Sequence, residues 1–188
     1  MTISSRPETD WLKRYYSLRF AVAALWAAAA FSIGSEPAAA VSLLLIAYPA
    51  WDALANYLDA RRSGGFVANW MQGVNAGISL VIALAVALAL GRGTGAVLAV
   101  FGAWAIVAGL LQLGAAVRRW KRSGAQWAMI LSGAQSALAG GFFVAKASGG
   151  DVRAVEMIAG YASLGALYFL ISALWLFGSD RLRGRKPV

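Results

Sequence analysis

The sequence predicts an all-α membrane protein: six transmembrane helices built as three repeated hairpins, with both termini cytoplasmic. Three observations carry that expectation. Of the 188 residues, 60% are hydrophobic and the mean hydropathy is +0.65, far above that of a soluble domain. The apolar residues fall in long blocks rather than in a 3.6-residue stripe, and six blocks reach the roughly 20 residues that a spanning helix needs. The basic residues crowd the connectors of one side.

The blocks run at about 15–34, 38–60, 67–90, 94–117, 127–147 and 152–177. The first follows ETDWLKRYYSLR (8–19), which is expected to begin as an interfacial helix with Trp11, Tyr15 and Tyr16 in the headgroup zone. Glu8 and Asp10 precede this block and further spans follow it, so it reads as a span and not as a cleaved leader. Ser35-Glu36-Pro37 supplies a capping Ser and a first-turn Pro for the second block. The remaining connectors are short: RRSGG, GRG, RRWKRSG and SGGD. These boundaries give an N-terminal cytoplasmic or interfacial segment (1–14), a six-helix transmembrane domain (15–177) and a basic cytoplasmic tail (178–188).

Orientation follows from charge. Of the 17 Lys and Arg residues, all but Arg92, Lys146 and Arg153 lie at the termini or in the second and fourth connectors. The positive-inside rule places that side in the cytoplasm. The net charge of +9 therefore faces anionic lipid at the loops, and nucleic acid is not the expected partner. The chain has no Cys and no His, which excludes disulfides, thiolate nucleophiles, His relays, and zinc or haem held through those residues. No paired carboxylates share a helix and no Ser has an evident base, so neither an enzyme nor a cofactor is expected.

The chain repeats itself. RSG at 62–64 recurs at 122–124, NW at 69–70 answers QW at 126–127, and GVNAG (73–77) answers GAQSA (133–137). AYPAWDALAN (47–56) lies over AWAIVAGLLQ (103–112). Three hairpins of about 60 residues around a pseudo-threefold axis follow from this spacing. YSLRF, AYPAWDALAN, NWMQG, GAWAIVAGLLQL and QWAMILSG, at matching places in five of the blocks, resemble the HdeD-like acid-resistance membrane protein family over about 15–177. Phe20 stands where that family usually has Gly, and of the prolines that often close its odd helices only Pro37 is present. The resemblance implies the three-hairpin fold and a stress-protective role in acid.

Overlaying the hairpins sorts the intramembrane polar residues into layers. Arg19, Gln72 and Ser132 are equivalent, Asn75 and Gln135 come one turn deeper, and Asn56 overlays Gln112. Asp52 lies one turn above Asn56 on the same face. At 1.5 Å per residue, Asp52 stands roughly 13 Å above Arg61 and Arg19 roughly 8 Å above Arg14, a difference an Arg side chain spans. An unpaired charge in hydrocarbon costs roughly 3 kcal/mol on insertion scales. Asp52 is therefore expected to face the interior and pair with Arg19, with Asn56, Gln72, Asn75, Gln112 and Gln135 around them. Pro49 leaves the carbonyl of Leu45 without its helical donor, so a kink before Asp52 is expected.

Such residues act either as glue that fixes helix neighbours or as a titrating or solute-binding site. The function classes follow: a structural, membrane-integrity protein, or a small-solute or proton transporter using Asp52. The apolar outer halves of the odd blocks and the parallel repeats favour the first. Glu156 is a secondary candidate, expected as an interfacial pair with Arg153, and an outward-facing cavity, if the fold has one, is expected near Tyr161 and Ser163. Close helix approach, and with it homo-oligomerisation, is assigned to small-residue faces: Gly73 with Gly77, Gly95 with Ala99 and Ala103, and Ala105 with Gly109.

Overall fold

A computed structural model describes residues 6–34, 38–121, 124–149 and 153–183. Among them the chain is wholly helical: α1 (Arg6–Ile33), α2 (Ala38–Arg62), a single turn α3 (Gly65–Ala68), α4 (Trp70–Leu90), α5 (Thr94–Arg119), α6 (Gln126–Lys146) and α7 (Ala154–Arg183). All but α3 contain a stretch long and apolar enough to cross a membrane. The six sequence blocks match these helices because length and unbroken hydropathy are one-dimensional signals that no tertiary contact needs to supply. The Ser35–Pro37 helix start, Arg122, Arg185 and Lys186 lie outside the described residues.

The six long helices close into a ring in chain order, α1 against α2 through to α7 against α1. The most extensive contacts are α5 with α6, α1 with α7, and α2 with α4. Each tight pair joins the second helix of one hairpin to the first helix of the next. The two within the chain meet across the basic connectors, and the third brings the two terminal helices together. We call that end of the bundle the basic end. At the α2–α4 connector, Gly64 and Gly65 both take positive φ (109° and 86°), a conformation glycine adopts without steric cost.

The α5–α6 seam is built on glycine. A Cβ on Gly102 would lie 2.8 Å from the Gly140 carbonyl oxygen, and one on Gly109 would lie 2.6 Å from that of Gly133. The reciprocal positions are as tight, and Gly95 meets the carbonyl of Ala147. Backbone thus touches backbone along the whole seam, as small residues permit in lipid. This corrects the small-face assignment. Gly77 has nothing within 4 Å and Gly73 faces the ring of Phe66 in α3, so these two glycines bring no second long helix close. Ala103 is exposed. The operative spacing is seven residues (Gly95, Gly102, Gly109), which keeps one face along a helix that leans gently on its neighbour.

The N-terminal aromatics are corrected as well. Tyr15 and Tyr16 are buried with Leu12 in a cluster that includes Phe169, Ala173 and Leu176 of α7. These α7 residues cover them, and α7 continues beyond residue 177 to Asp180, which pairs with Lys13. Helix α2 runs unbroken through Pro49, and the indole of Trp26 donates to the Leu44 carbonyl at 2.7 Å, in the turn that proline disturbs. Outward-pointing Leu25, Leu43, Leu84, Leu88 and Leu138 give the ring an apolar exterior.

Candidate functional site

Contrary to the expectation that no paired carboxylates share a helix, α2 carries two on one face, Asp52 and Asp59, seven residues or two turns apart. Each is buried and each takes an arginine. Asp52 Oδ1 accepts from Arg19 Nη2 at 2.6 Å, while Oδ2 accepts from Asn56 Nδ2 at 2.9 Å and Ser79 Oγ at 2.8 Å. Ser79 in turn accepts from the indole of Trp104 at 2.9 Å. Four helices therefore converge on one carboxylate: α1, α2, α4 and α5. Asp59, only 2% exposed, accepts from Arg119 at 2.8 Å, from Trp11 at 3.1 Å and from Ser63 at 2.8 Å. Arg119 reaches on to the Asn69 side-chain oxygen at 2.9 Å and to the Gln72 carboxamide oxygen at the same distance.

Charges buried in this way persist only when paired and hydrogen-bonded. Asp52 and Asp59 meet that condition on both oxygens. Arg19 does not quite: its guanidinium stacks 4.6 Å above the Phe169 ring, a cation–π contact, yet Nη1 has no hydrogen-bond partner. Asn75, only 5% exposed, likewise leaves Oδ1 without a partner.

These two groups border a cavity system on the axis of the ring. An outer chamber of about 50 Å³ and an inner chamber of about 40 Å³ share Arg19, Asn75, Gln112 and Phe169 as walls. All six long helices line each chamber. The outer chamber also shares Gln72, Ala115 and Arg119 with a surface pocket of about 170 Å³ at the basic end. Polar space thus leads from the basic end past the ion pairs to Asp52. Beyond the inner chamber the core is a tight apolar cluster that includes Val86, Leu98, Phe101, Phe143 and Ile158.

The seven residues expected to form an intramembrane polar network all line this axis, but not as one network. Asn56 bonds Asp52; Gln72 belongs to the Asp59–Arg119 pair; Gln112 donates to the Met129 carbonyl at 3.3 Å. Gln135 lines the inner chamber only, and Asn75 keeps its free oxygen. Glu156 is half-buried and, among the described residues, makes no ion pair with Arg153, contrary to expectation. Tyr161 lines the inner chamber, which adjoins the outer chamber on the basic side and is not the outward-facing cavity considered, and its hydroxyl meets Ser136 at 2.8 Å; Ser163 bonds back to its own helix.

Sequence reasoning missed Asp59 with Arg119, and Ser79 with Trp104. A signal existed for each. Asp59 repeats the face of Asp52 at a spacing of two turns, and Ser79 lies one turn past Asn75. Asp59 and Arg119 sit at the ends of apolar blocks, where charges ordinarily meet headgroups.

A family model described as a short repeat of unknown function (DUF308) matches residues 74–145, from α4 through α6. That repeat is found in HdeD-like membrane proteins. No curated protein and no solved structure matches the chain.

Proposed function

We propose that this is a structural, stress-protective protein of a cell inner membrane, of the kind the HdeD-like resemblance implies, with both termini cytoplasmic. One observation supports the structural reading: beyond the inner chamber the polar axis gives way to a tight apolar cluster. The stress-protective part rests on the HdeD-like resemblance alone, since the matched repeat is itself of unknown function. The basic loops then lie against anionic lipid. No enzymatic activity is assigned, because every oxygen of Asp52 and Asp59 already has a donor.

The test is acid-challenge survival of a deletion strain complemented at matched membrane abundance, together with proton flux in proteoliposomes. The structural reading expects wild type and Asp52→Asn both to protect, with flux no faster than in empty vesicles. Protection lost in a folded Asp52→Asn protein sinks it. That result favours the second reading, a proton or small-solute transporter, whose support is that polar space reaches Asp52 from the basic end.

A further inference from the structure

The axial chambers have properties that neither helix glue nor a conduit requires. Their walls are electrically balanced, since Arg19 is matched by Asp52 and Arg119 by Asp59. An added anion or cation finds no uncompensated charge there. What the walls do leave open is one donor and one acceptor, Arg19 Nη1 and Asn75 Oδ1, on residues that border both chambers. A buried unpartnered polar group in a native fold calls for a partner. The rest of the outer wall mixes apolar Met71, Leu111, Met129 and Phe169 with polar Asn56 and Gln112. A small-molecule site combines an apolar surface with convergent polar groups that fix orientation. Water alone makes no use of the apolar part.

We propose that the axis is a binding site for one small, net-neutral molecule carrying a carbonyl-type oxygen and an N–H or O–H donor. Its oxygen accepts from Arg19 Nη1, its donor serves Asn75 Oδ1, and a short aliphatic part lies on Met71, Met129 and Phe169. It enters from the basic end past Ala115 and Gln72, and it leaves by the same mouth because the apolar cluster closes the other side. The chamber sizes restrict it to a few heavy atoms, in the class of simple amides and ureas. Occupancy of the axis is independent of whether the protein is structural or a transporter, because it requires no movement across the membrane.

The experiment uses the full chain in lipid nanodiscs and trifluoroacetamide as a fluorine NMR probe, with trifluoroacetate as its anionic counterpart and empty nanodiscs as reference. Saturable binding is expected, with a dissociation constant on the order of millimolar for so small a ligand. Trifluoroacetate should bind about tenfold more weakly, a difference of one decade in affinity. Unlabelled acetamide should displace the probe and acetate should not. Asn75→Leu, which removes the acceptor, and Ala115→Phe, which narrows the mouth, should each weaken binding about tenfold. If Asn75→Leu does not fold, Ala115→Phe and the displacement by acetamide decide. Uptake that matches empty nanodiscs means water is the only occupant and overturns the proposal. So does tighter binding of trifluoroacetate, or probe binding unchanged in both variants.

Discussion

Helices α5 and α6 are held together by what they lack, and helix α2 by what it carries. Along the first seam, glycines at 102 and 109 face glycines at 140 and 133, and backbones meet with no side chain between them. Along α2, two carboxylates draw Arg19, Arg119, Ser79 and Trp11 from the helices around it, and Ser79 in turn draws Trp104. Lipid tails are as apolar as leucine, so neither seam gains from a hydrophobic drive between helices. The glycine seam obtains dispersion contact from close approach and is intolerant of added volume. The α2 seam obtains specificity from charge and is intolerant of an unmatched partner. Two different substitutions therefore break them, and the size of each effect tests which physics holds which pair.

The largest effect is expected from Arg19→Leu. It leaves Asp52 charged, only 7% exposed and short of its cationic partner, a loss of about 3–5 kcal/mol for one half of a buried pair. Thermal unfolding of the purified protein in one detergent reads this directly. Asp52→Asn in the same protein should restore most of the loss, because the pair is then removed rather than broken. A double variant no more stable than Arg19→Leu would show that Arg19 works through Phe169 and Tyr15 instead.

Next comes the glycine seam. Gly140→Val places a branched Cβ 2.5 Å from the Gly102 carbonyl oxygen and 2.7 Å from the Ile106 nitrogen, so backbone must move. Overpacking of this kind costs about 1–3 kcal/mol, and a rigid backbone neighbour puts it at the upper end. Gly141→Val, one residue along with nothing within 4 Å, is the control that separates volume from helix propensity. Equal losses in both would mean that α6 is merely sensitive to valine.

Asp52→Asn alone should cost less than Arg19→Leu, about 1–2 kcal/mol for weakened hydrogen bonds to a charged group. The asymmetry lies in the side chains. Arg19 keeps its contact with Phe169, and its long stem can lean toward the outer chamber and the basic end. The carboxylate of Asp52 has no such reach. An Asp52→Asn protein as unstable as Arg19→Leu would mean that Arg19 has no hydrated alternative, and that the outer chamber is dry.

The two seams also differ in how far the sequence exposes them. Asp52 is one carboxylate in an apolar run, and its pairing with Arg19 follows from depth alone, since both must find a partner within reach. Its contact to Ser79 does not follow, because a serine in an apolar helix has its own backbone to bond and only the packing of α4 decides otherwise. The polar layers were legible as positions and not as partnerships: Gln72 sits in the predicted layer but serves Arg119 rather than Arg19. The glycine seam was half legible. Gly95 and Gly109 stood out, but Gly102 and Gly140 gain meaning only when α5 and α6 are laid side by side, and GVNAG displayed the stronger local motif. Tyr15 and Tyr16 misled for a similar reason. An aromatic pair near a basic terminus suits a headgroup zone unless another helix packs over it, and the pairing of α1 with α7 that buries these two joins the ends of the chain, which hydropathy does not mark.

The smallest effect, and the one that sharpens the contrast between motif and contact, belongs to Gly77→Ala. A Cβ there meets nothing within 4 Å, so the monomeric bundle should be unchanged or slightly more stable, by at most about 1 kcal/mol from helix propensity. The same substitution at Gly109, where a Cβ would lie 2.6 Å from the Gly133 carbonyl, should destabilise. If Gly77→Ala instead lowers the unfolding temperature, and does so more at high protein concentration, the exposed GVNAG face of α4 is a contact between copies of the chain. The concentration dependence is what discriminates: a defect within one bundle is independent of it, whereas a lost partner is linked to it by mass action. Light scattering in the same detergent then reports whether wild type is larger than the variant. An unchanged melt and unchanged mass would leave the strongest local motif in the sequence without any packing role, and the seven-residue glycine spacing of α5 as the feature that organises the bundle.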